Sequence, residues 1–144
     1  MSVELPFAPV DAVIRRNAGN LRVSADAAEV LARRIQTHGA ALAADAAEQA
    51  TENGRKTLMT EDFGVESADR SAVELPIAPV DRIARLDIDD RYRVSMDARV
   101  ALAARLESYA TAIAAAAAAF ARHAGRRTIK SEDIELYFDV EQHF

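Results

Sequence analysis

The chain has 144 residues, no Cys, no Trp, 18 Lys+Arg against 23 Asp+Glu, and a formal charge of −5. The absence of Cys excludes a disulfide scaffold, a thiolate zinc site and a cysteine nucleophile. Three scattered His (His38, His123, His143) make no metal cage, so no metal or cofactor is expected. No apolar run approaches the ~20 residues of a membrane span. Met1-Ser2-Val3-Glu4 lacks a charged-then-apolar signal, so a soluble intracellular protein is expected.

The 32 Ala, with only 5 Gly and 4 Pro, point to a helical chain. Of the 18 basic residues, all but Lys56 and Lys130 are Arg. An acidic surface poor in Lys suits a salty cytoplasm, with loss of folding at low salt as its signature. A GC-rich genome favouring Ala and Arg codons gives the same composition.

The chain is written twice. Val3-Glu4-Leu5-Pro6-Phe7-Ala8-Pro9-Val10-Asp11 returns as Val73-Glu74-Leu75-Pro76-Ile77-Ala78-Pro79-Val80-Asp81, matching at 8 of 9 positions with an offset of 70. Leu21–Ala27 returns as Tyr92–Ala98, and Gly54-Arg55-Lys56-Thr57 as Gly125-Arg126-Arg127-Thr128, both at an offset of 71. The step from 70 to 71 places a one-residue insertion in Leu86–Arg91. The expected organisation is a first fold over residues 1–66, a linker over 67–72 and a second fold over 73–144.

Each repeat reads as short helix, long helix, short helix. Pro9 and Pro79 sit in a first turn, where proline is tolerated, and these helices are expected to run to about Ala18 and Leu86. Ser24 and Ser95 read as N-caps, with Asp26 and Asp97 against the positive dipole end. The long helices are expected to run to Asn53 and Ala124, where Gly54 and Gly125 stop them, with Ser24–Asn53 about 45 Å long. Thr60 and Ser131 read as caps of the third helices.

The stripe Leu102, Leu106, Tyr109, Ile113, Ala117, Phe120 has the spacing of one buried helix face. Its first-repeat counterpart is Leu31, Ile35, His38, Leu42, Ala46, Gln49. Two short neighbours cannot cover so long a face, so each long helix needs another copy, which the tether supplies. The alanines of 43–47 and 114–119 would permit close approach of the two.

Glu74–Val80, Arg93–Arg99 and Ala121–Leu136 resemble an archaeal histone, and the whole resembles a tandem histone-fold protein of haloarchaeal type. The resemblance implies an all-α chain whose two histone folds pair as an intramolecular handshake. It implies binding of double-stranded DNA on the convex ridge, where Arg22 and Arg93 match the groove-inserting arginine. Lys56, Thr57, Arg127 and Thr128 match phosphate contacts of the second loop, and Arg15, Arg82 and Arg85 match basic positions of the first helix. Arg55 with Asp62, and Arg126 with Asp133, match a buried pair tying the second loop to the third helix. The implied function is architectural: bending or wrapping DNA in a chromosome-associated, cytoplasmic setting without base readout. A histone-fold regulator or protein-interaction module with conditional DNA binding is the alternative. An enzyme is not expected, since no Gly-rich phosphate loop or triad is present and the pairs Glu61-Asp62 and Glu132-Asp133 begin helices. No small-molecule substrate and no membrane partner are expected.

Three departures carry expectations of their own. Asp11-Ala12 and Asp81-Arg82 stand where the family has Gly-Arg, and neither repeat is basic, with 8 basic against 11 acidic residues in 1–70 and 10 against 12 in 71–144. Phe120, His123 and Asp133 keep the family's chain–chain pattern in the second repeat, whereas Gln49 and Glu52 replace it in the first. A two-chain particle joined by second-half faces is expected. Gly64 interrupts the first repeat's last helix, making that fold the looser one.

Overall fold

A computed structural model describes residues 2–144. In chain order it contains α1 (Phe7–Ala18), β1 (Arg22–Val23), α2 (Ala25–Glu52), β2 (Thr57–Leu58), α3 (Ile77–Ala84), β3 (Arg93–Val94), α4 (Met96–His123), β4 (Thr128–Ile129) and α5 (Ser131–Glu141). The chain divides into two compact units, one of residues up to Leu5 with Gln36–Glu107, the other of Pro6–Ile35 with Ser108–Phe144. Both units therefore draw on both sequence repeats.

In the first unit, α3 and β3 of the second repeat join β2 and the third helical segment of the first. Thr57 pairs with Arg93 and Leu58 with Val94 in a short parallel ladder. Leu58, Phe63, Leu75, Ile83 and Leu106 form the core. Gly39 on α2 lets Ile83 approach, because a Cβ there would lie 2.7 Å from the Ile83 Cγ2. The segment before each first helix is held by a long-helix side chain: the Glu4 amide donates to Gln36 Oε1 at 2.7 Å, and the Glu74 amide to Glu107 Oε1 at 3.0 Å.

In the second unit, α1 and β1 of the first repeat join β4 and α5 of the second. Arg22 pairs with Thr128 and Val23 with Ile129, again in parallel. Val13, Ile14, Leu31, Ile113, Ile129 and Ile134 are buried there. Each unit thus combines the first helix and first loop of one repeat with the second loop and last helix of the other. That interleaving is the handshake arrangement, made within one chain.

Local signals account for most boundaries. The Ser24 and Ser95 hydroxyls accept from the amides of Ala27 and Ala98 at 3.3 and 3.0 Å, opening the long helices. Gly54 and Gly125 end them with positive φ (73° and 72°). Both long helices have 28 residues.

Several expectations need correction. The Thr60 and Ser131 hydroxyls do not cap the third helices. Met59 and Lys130 are the cap residues, and their amides donate to Asp62 and Asp133 at 2.7 and 2.8 Å. A carboxylate three residues into the helix thus takes the role given to the hydroxyl. The first repeat's third helix is a 3-10 helix, Thr60–Phe63, which Gly64 ends at φ 71°. The structure therefore has five α-helices among the described residues. α3 stops at Ala84 instead of Leu86, tightening through the Leu86 amide to Ile83 carbonyl bond at 3.2 Å. α4 is long and apolar enough to cross a membrane by length and composition, because its alanine run raises the mean hydropathy to 1.2. Half of that stretch is buried protein core.

Candidate nucleic-acid interface

The short ladders are what bring basic side chains of different repeats together. In the second unit the Arg22 amide donates to the Arg127 carbonyl at 2.8 Å, and the Ser24 amide to the Ile129 carbonyl at 3.0 Å. In the first unit the Arg93 amide donates to the Lys56 carbonyl at 2.9 Å, and the Ser95 amide to the Leu58 carbonyl at 3.1 Å. Successive strand side chains face opposite ways. Ile129, Leu58 and Val94 accordingly turn into the core while Arg22 and Arg93 stay exposed. Lys56 and Arg127 are exposed, and Thr57 and Thr128 are half-buried in their ladders. Among the described residues, Arg22, Lys56, Arg93 and Arg127 make no ion pair.

The second loops owe their shape to Arg55 and Arg126. Arg55 holds Asp62 through two nitrogens at 2.8 and 2.9 Å and donates to the Thr57 carbonyl at 2.9 Å. Arg126 holds Asp133 at 2.6 and 2.5 Å and donates to the Thr128 carbonyl at 3.2 Å. Both carboxylates are 1 % exposed. Burial pushes the Asp62 carboxyl up, but the Arg55 bond and the Met59 amide outweigh it and leave it below its ordinary range. The same bonds hold the Arg55 and Arg126 guanidiniums firmly protonated.

The first-helix arginines are differently placed. Arg15 lies 2.6 Å from Asp11, Arg85 lies 3.1 Å from Asp81, and Arg82 lies 2.9 Å from Glu4. All three are exposed, yet each is shared with a carboxylate before any DNA arrives. Asp81 also takes Arg99 at 3.1 Å. Ala28 stands at the position of Arg99 in the first repeat, and one Asp11 oxygen is left buried without a hydrogen bond.

Several contributors lay outside the sequence expectations. Arg122, in the last turn of α4, donates to the Ala18 carbonyl at the end of α1 at 3.0 Å. In the first unit Thr51 occupies the matching place and meets the Tyr92 hydroxyl at 2.5 Å. The Thr51–Tyr92 contact borders a groove of ≈ 290 Å³ that Arg55, Lys56 and Arg91 also line. A groove of ≈ 450 Å³ lies beside Arg22 and Arg127 in the second unit. Basic character in the last helical turn could have flagged Arg122; nothing local in sequence marks the Thr51–Tyr92 meeting.

The start of α2 is already occupied by its own carboxylate. Asp26 is held by the Ser24 hydroxyl and accepts from Ser131 at 3.3 Å, which keeps its pKa low. Phosphate at that helix end would meet a fixed negative charge, which leaves the loop cations as the candidate anion-binding groups. At the end of α4, Phe120 is half-buried, His123 is exposed, and Asp133 is already committed to Arg126 and the Lys130 amide. Gln49 and Glu52, their first-repeat counterparts, are both exposed. His38 is half-buried on α2.

Paired short–long–short helical folds whose loops meet in two-residue parallel ladders define a histone-fold protein. The profile of the family described as "Histone-like transcription factor (CBF/NF-Y) and archaeal histone" matches twice, over residues 3–64 and 73–137, and the chain belongs to that family. It is 54% identical over 63 residues to one chain of the archaeal histone HAN1 from Thermococcus zilligii, covering 44% of this chain and 91% of that protein. The solved structure of the histone from Methanopyrus kandleri matches with a TM-score of 0.63 and 26% identity, covering 91% of each chain. Histone-fold proteins of this family are structural DNA-binding proteins and not enzymes.

Proposed function

We propose that this protein is an architectural double-stranded DNA-binding protein, a chromatin or nucleoid histone that bends or wraps duplex without reading bases. The observation that carries the reading is the pairing of exposed, carboxylate-free cations on two ladders: Arg22 with Arg127, and Lys56 with Arg93. Cations fixed by backbone bonds suit phosphate, whose contacts position a duplex and carry no sequence information. Histone octamers wrap DNA in this manner, with arginines in the minor groove and no base-specific contacts. Thr57 and Thr128 supply hydroxyls beside these cations, while Arg15, Arg82 and Arg85 reach DNA only by exchanging a carboxylate for a phosphate.

The functional folds are residues 1–66 and 73–144, joined by 67–72. Two chains associate through second-half faces built on Phe120, His123 and Asp133, while exposed Glu52 and Gln49 deny the first half the same contact. The assembly then stops at a two-chain particle in place of an open filament. Its setting is the chromosome in a salty cytoplasm of haloarchaeal type, where folding depends on salt.

The net charge of −5 and the three carboxylate-held arginines favour a second reading, a histone-fold regulator or interaction module that touches DNA conditionally. Titration of unrelated duplexes of equal length across a salt series separates the two. Architectural binding gives affinities alike within a few-fold and a linear fall of log affinity with log salt. Preference for one duplex by two orders of magnitude, or no binding at any salt, would favour the second reading.

A further inference from the structure

We infer that the two ladders hold DNA unequally, with Arg22–Arg127 as the principal anchor and Lys56–Arg93 restrained by carboxylates of its own loops. This rests on the duplex-binding reading above. Under the repeat offsets, residues 15–24 and 122–130 of one unit match residues 85–95 and 51–59 of the other. The first set holds seven basic residues and no acidic one. The second holds five basic residues and four acidic ones, Glu52, Asp87, Asp89 and Asp90.

Position by position, the first unit has Leu86 for Arg16, Thr51 for Arg122 and Met59 for Lys130. The loop that carries the one-residue insertion also holds three carboxylates, Asp87, Asp89 and Asp90, within six residues of Arg93. Asp89 accepts from the Arg91 amide at 2.9 Å, and its carbonyl accepts from the Tyr92 amide at 3.1 Å. These bonds fold the acidic turn against the residue that precedes Arg93. The Asp89 carboxylate also takes the Arg91 guanidinium at 3.5 Å, and Asp87, Asp89 and Asp90 are all exposed. On the other ladder Arg122 is spent on a neutral carbonyl, the end of α1, and keeps its full charge.

Exposed charges interact over about 8–10 Å at moderate salt, so the acidic turn lowers the potential at Lys56 and Arg93. A phosphate at this ladder gains two cations and meets the field of three carboxylates. The matching loops at the Arg22–Arg127 ladder carry no carboxylate, and Asp26 at the start of the long helix there is balanced by its counterpart Asp97 at the other ladder. Counterion release on binding therefore comes mostly from one ladder.

The test is a salt titration of a short mixed-sequence duplex with the full chain and four variants. Arg22→Ala/Arg127→Ala is expected to lower affinity roughly 30-fold and to reduce the salt slope by about two, while Lys56→Ala/Arg93→Ala costs less than about threefold. Asp87→Asn/Asp89→Asn/Asp90→Asn is expected to raise affinity about tenfold. In that background, loss of Lys56 and Arg93 becomes as costly as loss of Arg22 and Arg127. Circular dichroism checks that each variant keeps its helices; if an Arg variant fails to fold, the Asn triple variant decides alone. Equal losses in the two double variants, or an unchanged affinity in the triple variant, would overturn the inference. Wild-type protein that binds no duplex at any salt overturns the duplex-binding reading, and this inference with it.

Discussion

The backbone amide of Arg22 donates to the carbonyl of Arg127 at 2.8 Å, making neighbours of two exposed cations from opposite repeats. Because the bond is main chain to main chain, both guanidiniums remain available. The same geometry recurs with Arg93 and Lys56 at 2.9 Å.

Asp62 anchors the second loop of the first repeat, and its removal leaves Arg55 partly buried without its carboxylate. Asp62→Ala is expected to cost about 3 kcal/mol in chemical denaturation, as for other broken buried pairs. The pair also sets a pH dependence. The folded pKa of Asp62 is lowered, so its contribution is full above the unfolded value of about 4 and is lost as pH falls through the folded value. Asp62→Asn should flatten the acid limb of a stability–pH curve; an unaltered limb would contradict the assignment.

Asp11 and Asp81 are equivalent in sequence and unequal in surroundings. Asp81 forms ion pairs with Arg85 and Arg99, the buried Arg99 Nε lacking hydrogen-bond geometry, whereas Asp11 has Arg15 and one unsatisfied buried oxygen. Asp81→Ala is expected to destabilise by about 2 kcal/mol, and Asp11→Ala by less than about 1 kcal/mol. Asp11→Ala also releases Arg15 and should raise duplex affinity several-fold at low salt.

How far was this legible beforehand? The repeat, the serine starts and the glycine stops of the long helices follow from local residue chemistry, and the i,i+4 spacing of Asp11 with Arg15 and Asp81 with Arg85 was open to view. The ladders were not, since two residues show no period and their partners lie in the other repeat. Arg122 reaching Ala18, and Thr51 meeting Tyr92, are likewise non-local. The cap was misassigned because Thr60 and Ser131 have the right chemistry one residue too late, while Asp62 and Asp133 reach back to the amides.

Gly39 looks like a stabilisation site, since Gly costs a helix interior about 1 kcal/mol relative to Ala. Here Ile83 fills the space, and Leu106 Cδ1 would lie 3.0 Å from an added Cβ. Gly39→Ala is expected to lose about 1–3 kcal/mol in thermal or urea unfolding. A gain would show that Ile83 can move aside.

Tyr109 provides an alkaline probe of the second unit. Burial, with Glu141 adding, pushes its hydroxyl up to about 12. Its stabilising contribution is full below the unfolded value of about 10 and is lost as pH rises through the folded value. Phenolate absorbance should show a late step near 12 that Tyr109→Phe abolishes; persistence of that step would assign it elsewhere.

The most direct measurement is the salt dependence of duplex binding by the wild type and by Arg22→Ala/Lys56→Ala/Arg93→Ala/Arg127→Ala. The four side chains are exposed, so the variant should keep its helical spectrum and unfolding midpoint. Loss of the ladder cations predicts a salt slope lower by about two, most of it from Arg22 and Arg127, and affinity reduced roughly a hundredfold at moderate salt. Unchanged affinity and slope in a folded quadruple variant would contradict DNA recognition through the ladders.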